Sequence, residues 1–247
     1  MITKAEIQSI RALADKRGRV EQGAFIAEGE KLVAELLSSH LAVRKVYTTK
    51  PLFADAEVIA ERDMERISQL KSSNSTLAVV EIPHHKLSDA EPAKSLVLAL
   101  DRVQNPGNLG TIIRLADWFG ITDIVCSADS ADCFNPKVIQ ATMGAIIRVR
   151  VHYTALPQWL ESQRSSGVNI YGTFLDGQNI YKAEKGSCGV IVMGNEGKGV
   201  SAACADSFTH KLLIPAYPPE RQGSESLNVA MATGIVCAEF RRRVLKK

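Results

Sequence analysis

The chain has 247 residues, 45% of them hydrophobic, and its 30 Lys and Arg stand against 27 Asp and Glu for a formal net charge of +3. This excludes a disordered or low-complexity chain, leaves room for one large or two modest domains, and makes any polyanion-binding surface a matter of local clusters. Five dispersed cysteines without a CxxC pair, and five histidines without metal-ligand spacing, read as free thiols in a reducing compartment with no structural metal.

In chain order, Ile7, Ile10, Leu13 and Ala14 form one helical stripe and Leu32, Val33, Leu36 and Leu37 a second, so residues 3–38 read as helix, short strand, helix. Lys16-Arg17-Gly18-Arg19 is one of two basic clusters; Arg241-Arg242-Arg243 with Lys246 and Lys247 is the other. Each is equally a solvated helix end or a phosphate-binding patch. Strands follow at residues 43–48 and 77–82 with a helix over 63–71 between them, and the proline-bearing polar segment 83–94 reads as an exit linker. We therefore expect a small α/β domain over residues 1–90 and a second domain over 95–247.

The second part alternates apolar strands with helices, the strands falling at 96–100, 121–126, 146–151, 168–174, 190–193 and 211–214. That alternation implies an α/β fold with a parallel sheet covered by helices on both faces. A last helix spans 227–244 before the chain turns basic. No basic-then-apolar leader is present, and no apolar run approaches the roughly 18 residues of a membrane span. The expectation is a cytoplasmic protein with no membrane partner.

Three loops at strand ends concentrate the polar chemistry, and ligands of open α/β sheets bind beyond the carboxyl ends of strands. The first, Asp101-Arg-Val-Gln-Asn-Pro-Gly-Asn-Leu-Gly-Thr-Ile-Ile-Arg114, enters a helix with Leu109, Ile112, Ile113 and Ala116 on its apolar stripe. Asn108 is a good N-cap type, and Arg114 points off that stripe. The second, Met193-Gly-Asn-Glu-Gly-Lys-Gly199, fits neither GxxxxGK[ST] nor GxGxxG, which argues against a nucleotide-binding loop of doubly wound type; on spacing alone it could be a tight strand-to-helix turn. The third runs from Leu213-Ile-Pro215 to Ser226-Leu-Asn228, with Ser226 placed as an N-cap.

Taken in order and spacing, these segments resemble the SpoU family of RNA ribose methyltransferases, within the SPOUT (TrmH-like) superfamily. Asn105-Pro-Gly-Asn-Leu-Gly-Thr-Ile-Ile-Arg114 is similar to its first motif, Met193-Gly-Asn-Glu-Gly197 to its second, and Ile214-Pro with Ser226-Leu-Asn-Val-Ala230 to its third. The first module, with Phe25-Ile-Ala-Glu-Gly29, resembles the small ribosomal-protein-like substrate-binding domain found ahead of this catalytic domain. The stretch 216–225, with Tyr217, Pro218, Pro219, Glu220 and Arg221, is longer than in many members.

The resemblance implies a trefoil-knotted parallel-sheet catalytic domain, a homodimer, and transfer of a methyl group from S-adenosylmethionine (AdoMet) to a ribose 2′-hydroxyl of structured RNA without a metal; the extra N-terminal module favours ribosomal RNA, with transfer RNA the alternative. It implies Gly194, Ile214, Leu227 and Thr173 for the cofactor, and Arg114, Asn108, Glu196, Ser226 and Asn228 as catalytic candidates. A guanidinium does not deprotonate in proteins, so Arg114 is expected to bind phosphate and orient the ribose. Lys16, Arg17 and Arg19, backed by Arg44 and Lys45, are the expected RNA contacts, reading shape because Phe25, Tyr47 and Phe53 are the module's few aromatics. The competing reading is an inactive RNA-binding or ribosome-assembly factor of the same fold.

Overall fold

The computed structural model describes residues 2–70, 74–218 and 226–244. Of the expected long stretch 216–225, residues 219–225, with Pro219, Glu220 and Arg221, lie outside the described residues, as do Lys71, Lys246 and Lys247. The chain folds as two compact units: one runs to His84 and takes in Asp132–Ile147, and the other comprises His85–Ala131 with the chain from Arg148 onward.

The first unit contains α1 (Lys4–Ala12), α2 (Lys16–Gln22), β1 (Ala24–Glu28), α3 (Glu30–Leu37), β2 (Val43–Thr48), β3 (Glu57–Val58), α4 (Glu61–Ile67) and β4 (Thr76–Glu81). Its sheet has the order β1-β4-β2-β3, antiparallel except for β2 with β3. The single expected helix before β1 is two helices. Thr3 and Glu6 form a reciprocal capping box at the start of α1, and Gly23, at φ +58°, closes α2. Ile7, Ile10, Leu13, Ile26, Tyr47, Met64 and Leu77 share the core. The later helix α6 (Pro136–Thr142), capped by the Asn135 side chain, packs on β1 in this unit, where the Phe134 and Phe25 rings meet in a tilted pair with centroids 4.9 Å apart.

The second unit holds β5 (Leu96–Leu100), α5 (Pro106–Trp118), β6 (Asp123–Ser127), β7 (Arg150–Thr154), α7 (Leu156–Ser165), β8 (Ile170–Asn179), β9 (Gly189–Met193), α8 (Ala202–Ala205), β10 (His210–Leu213) and α9 (Val229–Val244). Every pairing in the sheet β10-β8-β9-β5-β6-β7 is parallel, as the apolar runs imply. The strands β5, β6 and β9 are buried along their whole length. One expected strand is displaced: Ala145–Ile147 form a 3₁₀ turn, and pairing with β6 begins only at Arg150. Apolar content alone could not separate the buried turn from the strand that follows it.

Candidate active site

All three polar loops lie in the second unit, at the carboxyl ends of β5, β9 and β10. Helix α5 begins at Pro106, whose fixed φ suits a first helical position. Its cap is Asn105 and not Asn108: the Asn105 Oδ1 accepts the N–H groups of Gly107 (2.8 Å) and Asn108 (3.1 Å). This leaves the Asn108 side chain free of capping. Likewise α9 is capped by Asn228 and not by Ser226, the Asn228 Oδ1 accepting from Ala230 (2.9 Å) and Met231 (3.3 Å). Ser226, Leu227 and Asn228 are exposed at this helix start.

The amides then link the loops. Asn228 Nδ2 donates to Asn108 Oδ1 at 3.0 Å, and Asn108 Nδ2 donates to Glu196 Oε1 at 2.8 Å. Thus one hydrogen-bonded relay, Asn228 to Asn108 to Glu196, joins three segments separated by 120 and 88 residues. Its direction is set by donor and acceptor counts: capping engages the Asn228 oxygen, so the nitrogen must face Asn108, and the Asn108 nitrogen must face the carboxylate.

The Glu196 loop is tightly built. Asn195 and Gly199 exchange two backbone hydrogen bonds of 2.9 Å, while Asn195 Oδ1 accepts from the N–H groups of Gly197 and Lys198. A side chain at Gly194 would collide with the backbone of Gly199 and Val200, so glycine is needed there for the loop's own closure. Thr173 sits beside Val192 on the neighbouring strand, its hydroxyl donating to the Val192 carbonyl at 3.4 Å. Thr173 and Gly194 come just after the paired residues Gly172 and Val192 of the adjacent strands β8 and β9, while the β10–β8 register shifts from Gly172 to Gln178, so Ile214 follows the part of β10 that pairs with Gln178 and Asn179.

Arg114 is exposed on α5 and makes no hydrogen bond or ion pair among the described residues. The structure therefore gathers Asn108, Glu196 and Asn228 into direct contact and holds Arg114 outside that relay. In the first unit, Arg19 does not serve as a surface cation. Its side chain is 2% exposed and donates to Asp132 Oδ2 (2.6 and 3.0 Å) and to the carbonyls of Leu13 and Ala14. Lys16 and Arg17 are exposed. Sequence reasoning assigned no role to Asp101, Ser127, Asn195 or Ser201, which frame the Glu196 loop; the only signal was an acidic residue at a strand end, a position also common in solvated turns.

Among the described residues no group of three His, Cys, Asp or Glu side chains could hold a metal, and no helix is long and apolar enough to cross a membrane. Residues 95–238 match the SpoU rRNA Methylase family, and residues 4–96 match an MRM3-like substrate binding domain. The 23S rRNA (guanosine(2553)-2′-O)-methyltransferase RlmP of Bacillus subtilis is 31% identical over 245 residues, 96% of each chain. A TrmH-family protein from Porphyromonas gingivalis has 39% identity and a TM-score of 0.87 over 98% of this chain and 99% of its own. An AdoMet-bound rRNA methyltransferase from Sinorhizobium meliloti has 29% identity and a TM-score of 0.87 over 99% and 97%.

Proposed function

We propose that this chain, which belongs to the SpoU rRNA methylase family, transfers a methyl group from AdoMet to a ribose 2′-hydroxyl of structured ribosomal RNA. The observation that carries this reading is the Asn228–Asn108–Glu196 relay, which brings the three family motifs into one hydrogen-bonded constellation at the carboxyl edge of a parallel sheet. Residues 1–90 would present the RNA and 95–247 would perform the transfer, with the chain of the second unit tied in the trefoil expected of the family.

The sheet edge fits the cofactor. Gly194, Ile214 and Leu227 offer backbone at strand and helix ends, and Thr173 retains hydroxyl lone pairs to accept a hydrogen bond. AdoMet supplies a methyl group on a sulfonium, whose bond to sulfur breaks with the electron pair leaving on sulfur, so no Lewis acid is required. What remains for the chain is to align the acceptor oxygen and to receive its proton. Arg114, exposed and permanently charged, binds the phosphate next to the target and turns the ribose toward the site. Glu196 is the carboxylate that the relay presents, with lone pairs left to take the proton directly or through water; Ser226 lines the same helix start.

Met231, in the first turn of α9, is 64% exposed, and Trp118, at the far end of α5, is 83% exposed; each is an apolar side chain that the homodimer expected of the family would cover. The function, with cysteines kept as thiols, suits a cytoplasmic setting.

The test combines calorimetry with AdoMet and mapping of ribose methylation in ribosomal RNA with and without the protein. Arg114→Lys should lower turnover by about 100-fold or more while AdoMet affinity changes by less than about threefold, since a point charge replaces a bidentate phosphate clamp. Wild-type protein that binds no AdoMet overturns the reading.

A further inference from the structure

The geometry points to Asp101 as a positioning residue for methyl transfer, which acts through Glu196 by clamping the 195–201 loop at one end while its neighbour Arg102 clamps the other. The inference rests on the methyltransferase reading above and assigns a residue outside the three motifs.

Asp101 follows the last residue of β5 and is 3% exposed. Its N–H donates to the Met193 carbonyl at 2.9 Å, which extends the β5–β9 ladder to the root of the loop. Its Oδ2 accepts the Ser201 N–H at 2.6 Å, and its Oδ1 accepts from Arg102 Nε at 3.2 Å. The Arg102 carbonyl in turn accepts from Asn195 Nδ2 at 2.8 Å. Two consecutive residues thus hold Asn195 and Ser201, the outgoing and returning ends of the loop that carries Glu196.

The clamp is itself held in an unusual shape. Arg102 has φ +58°, a left-handed conformation that a residue with a side chain adopts at a cost of about 1 kcal/mol or more. Its N–H donates to Ser127 Oγ at 2.8 Å, and that hydroxyl is also bonded to Asp129 and Ser130 at the end of β6. The turn therefore faces its N–H toward β6 and its carbonyl toward the β9 loop. A buried carboxylate that spends both oxygens on fixing local geometry, one of them on a loop a hundred residues away in sequence, has the character of a support for a catalytic group.

The experiment is a double-mutant cycle on RNA methylation by the full chain, with turnover expressed per folded, AdoMet-competent molecule. Asp101→Ala should lower kcat by about tenfold or more, with KM for RNA changed by less than about threefold, because the loss lies in the placement of a group and not in substrate contacts. Asp101→Asn, which keeps an acceptor for Ser201 but turns a donor toward Arg102 Nε, should restore part of the rate. In a Glu196→Ala background the Asp101 substitution should cost less than about threefold more, as expected for residues acting as one unit. Ser201→Pro provides a second route if Asp101→Ala fails to fold: Ser201 has φ −67°, which proline shares, and the variant removes the N–H that Asp101 accepts and sets the ring Cδ against that carboxylate, so the clamp is broken from the loop side. Losses that multiply in the cycle, or unchanged kcat in both Asp101→Ala and Ser201→Pro, overturn the inference. Inactive wild-type protein would instead overturn the methyltransferase reading.

Discussion

At the scale of single residues, the relay imposes a polarity that can be inverted. Because α9 engages the Asn228 oxygen, Asn108 can only present its amide nitrogen to Glu196. Asn108→Asp places a second carboxylate at 2.8 Å from the first, where both cannot ionise, and the pair takes up a proton at a raised pKa. At neutral and alkaline pH the repulsion should displace Glu196 and lower turnover by about tenfold or more. As pH falls the introduced carboxyl group protonates and becomes a donor again, so the ratio of variant to wild-type rate should rise. Turnover of both proteins measured between about pH 6 and about 8.5, a range chosen to bracket neutrality, decides this; a ratio independent of pH would mean that the relay's polarity is irrelevant to the reaction.

At the scale of elements, side chains that bridge helices and strands carry much of the first unit's organisation. Arg19 joins α2 to the segment entering α6 through a buried pair with Asp132, so Arg19→Ala strands a carboxylate and two carbonyls and should cost about 3 kcal/mol in denaturant unfolding. Arg17, which is 89% exposed, should cost less than about 0.5 kcal/mol under the same substitution. Glu6 on α1, Lys45 on β2 and Glu57 on β3 form a second bridge, with Lys45 Nζ at 2.6 and 2.8 Å from the two carboxylates. The Lys45 ammonium, with help from Thr3, lowers the Glu6 pKa to about 2, and the two carboxylates raise that of Lys45. A depressed carboxylate stabilises above its unfolded pKa and loses that stabilisation as pH falls toward the folded value, so the bridge should weaken from about pH 4.5 down to about 2. The stability difference between wild type and Lys45→Met should shrink over that acid range; a constant difference would exclude the linkage. The elements themselves were legible where periodicity was strong: the parallel strands, α5 and α9 follow from apolar runs and stripes. The cap positions and the fate of Arg19 were not, because Asn105 and Asn108 are equally good cap types, and a basic cluster reads the same whether its side chains face water or a buried Asp132 more than a hundred residues on. The relay was legible only as three separate loops; that Asn108, Glu196 and Asn228 touch depends on strand order, which local pattern does not encode.

At the scale of the whole molecule, a formal charge of +3 leaves RNA affinity to those cations that the fold has not already consumed. Arg44 is tied to Glu81 and to the Gln22 carbonyl, Arg241 to the carbonyls of Phe119 and Gly120, and Arg242 to Glu239. Both basic clusters are thus partly spent in holding the fold, and Lys16 and Arg17 remain as the exposed pair of the N-terminal one. Arg17 meets Glu21 one turn along α2, a solvated pairing weak enough for a phosphate to displace. Phosphate contacts displace condensed counterions, so each one made contributes about 0.7–0.9 to the slope of log affinity against log salt. Replacing Lys16 and Arg17 by Gln should reduce that slope by about one to two units and weaken binding across RNA sequences alike, with folding stability almost unchanged. Binding isotherms for a ribosomal RNA fragment at several salt concentrations give the slope directly. If it does not change, the RNA path runs over another face of the molecule, and the N-terminal pair is an ordinary solvated helix surface.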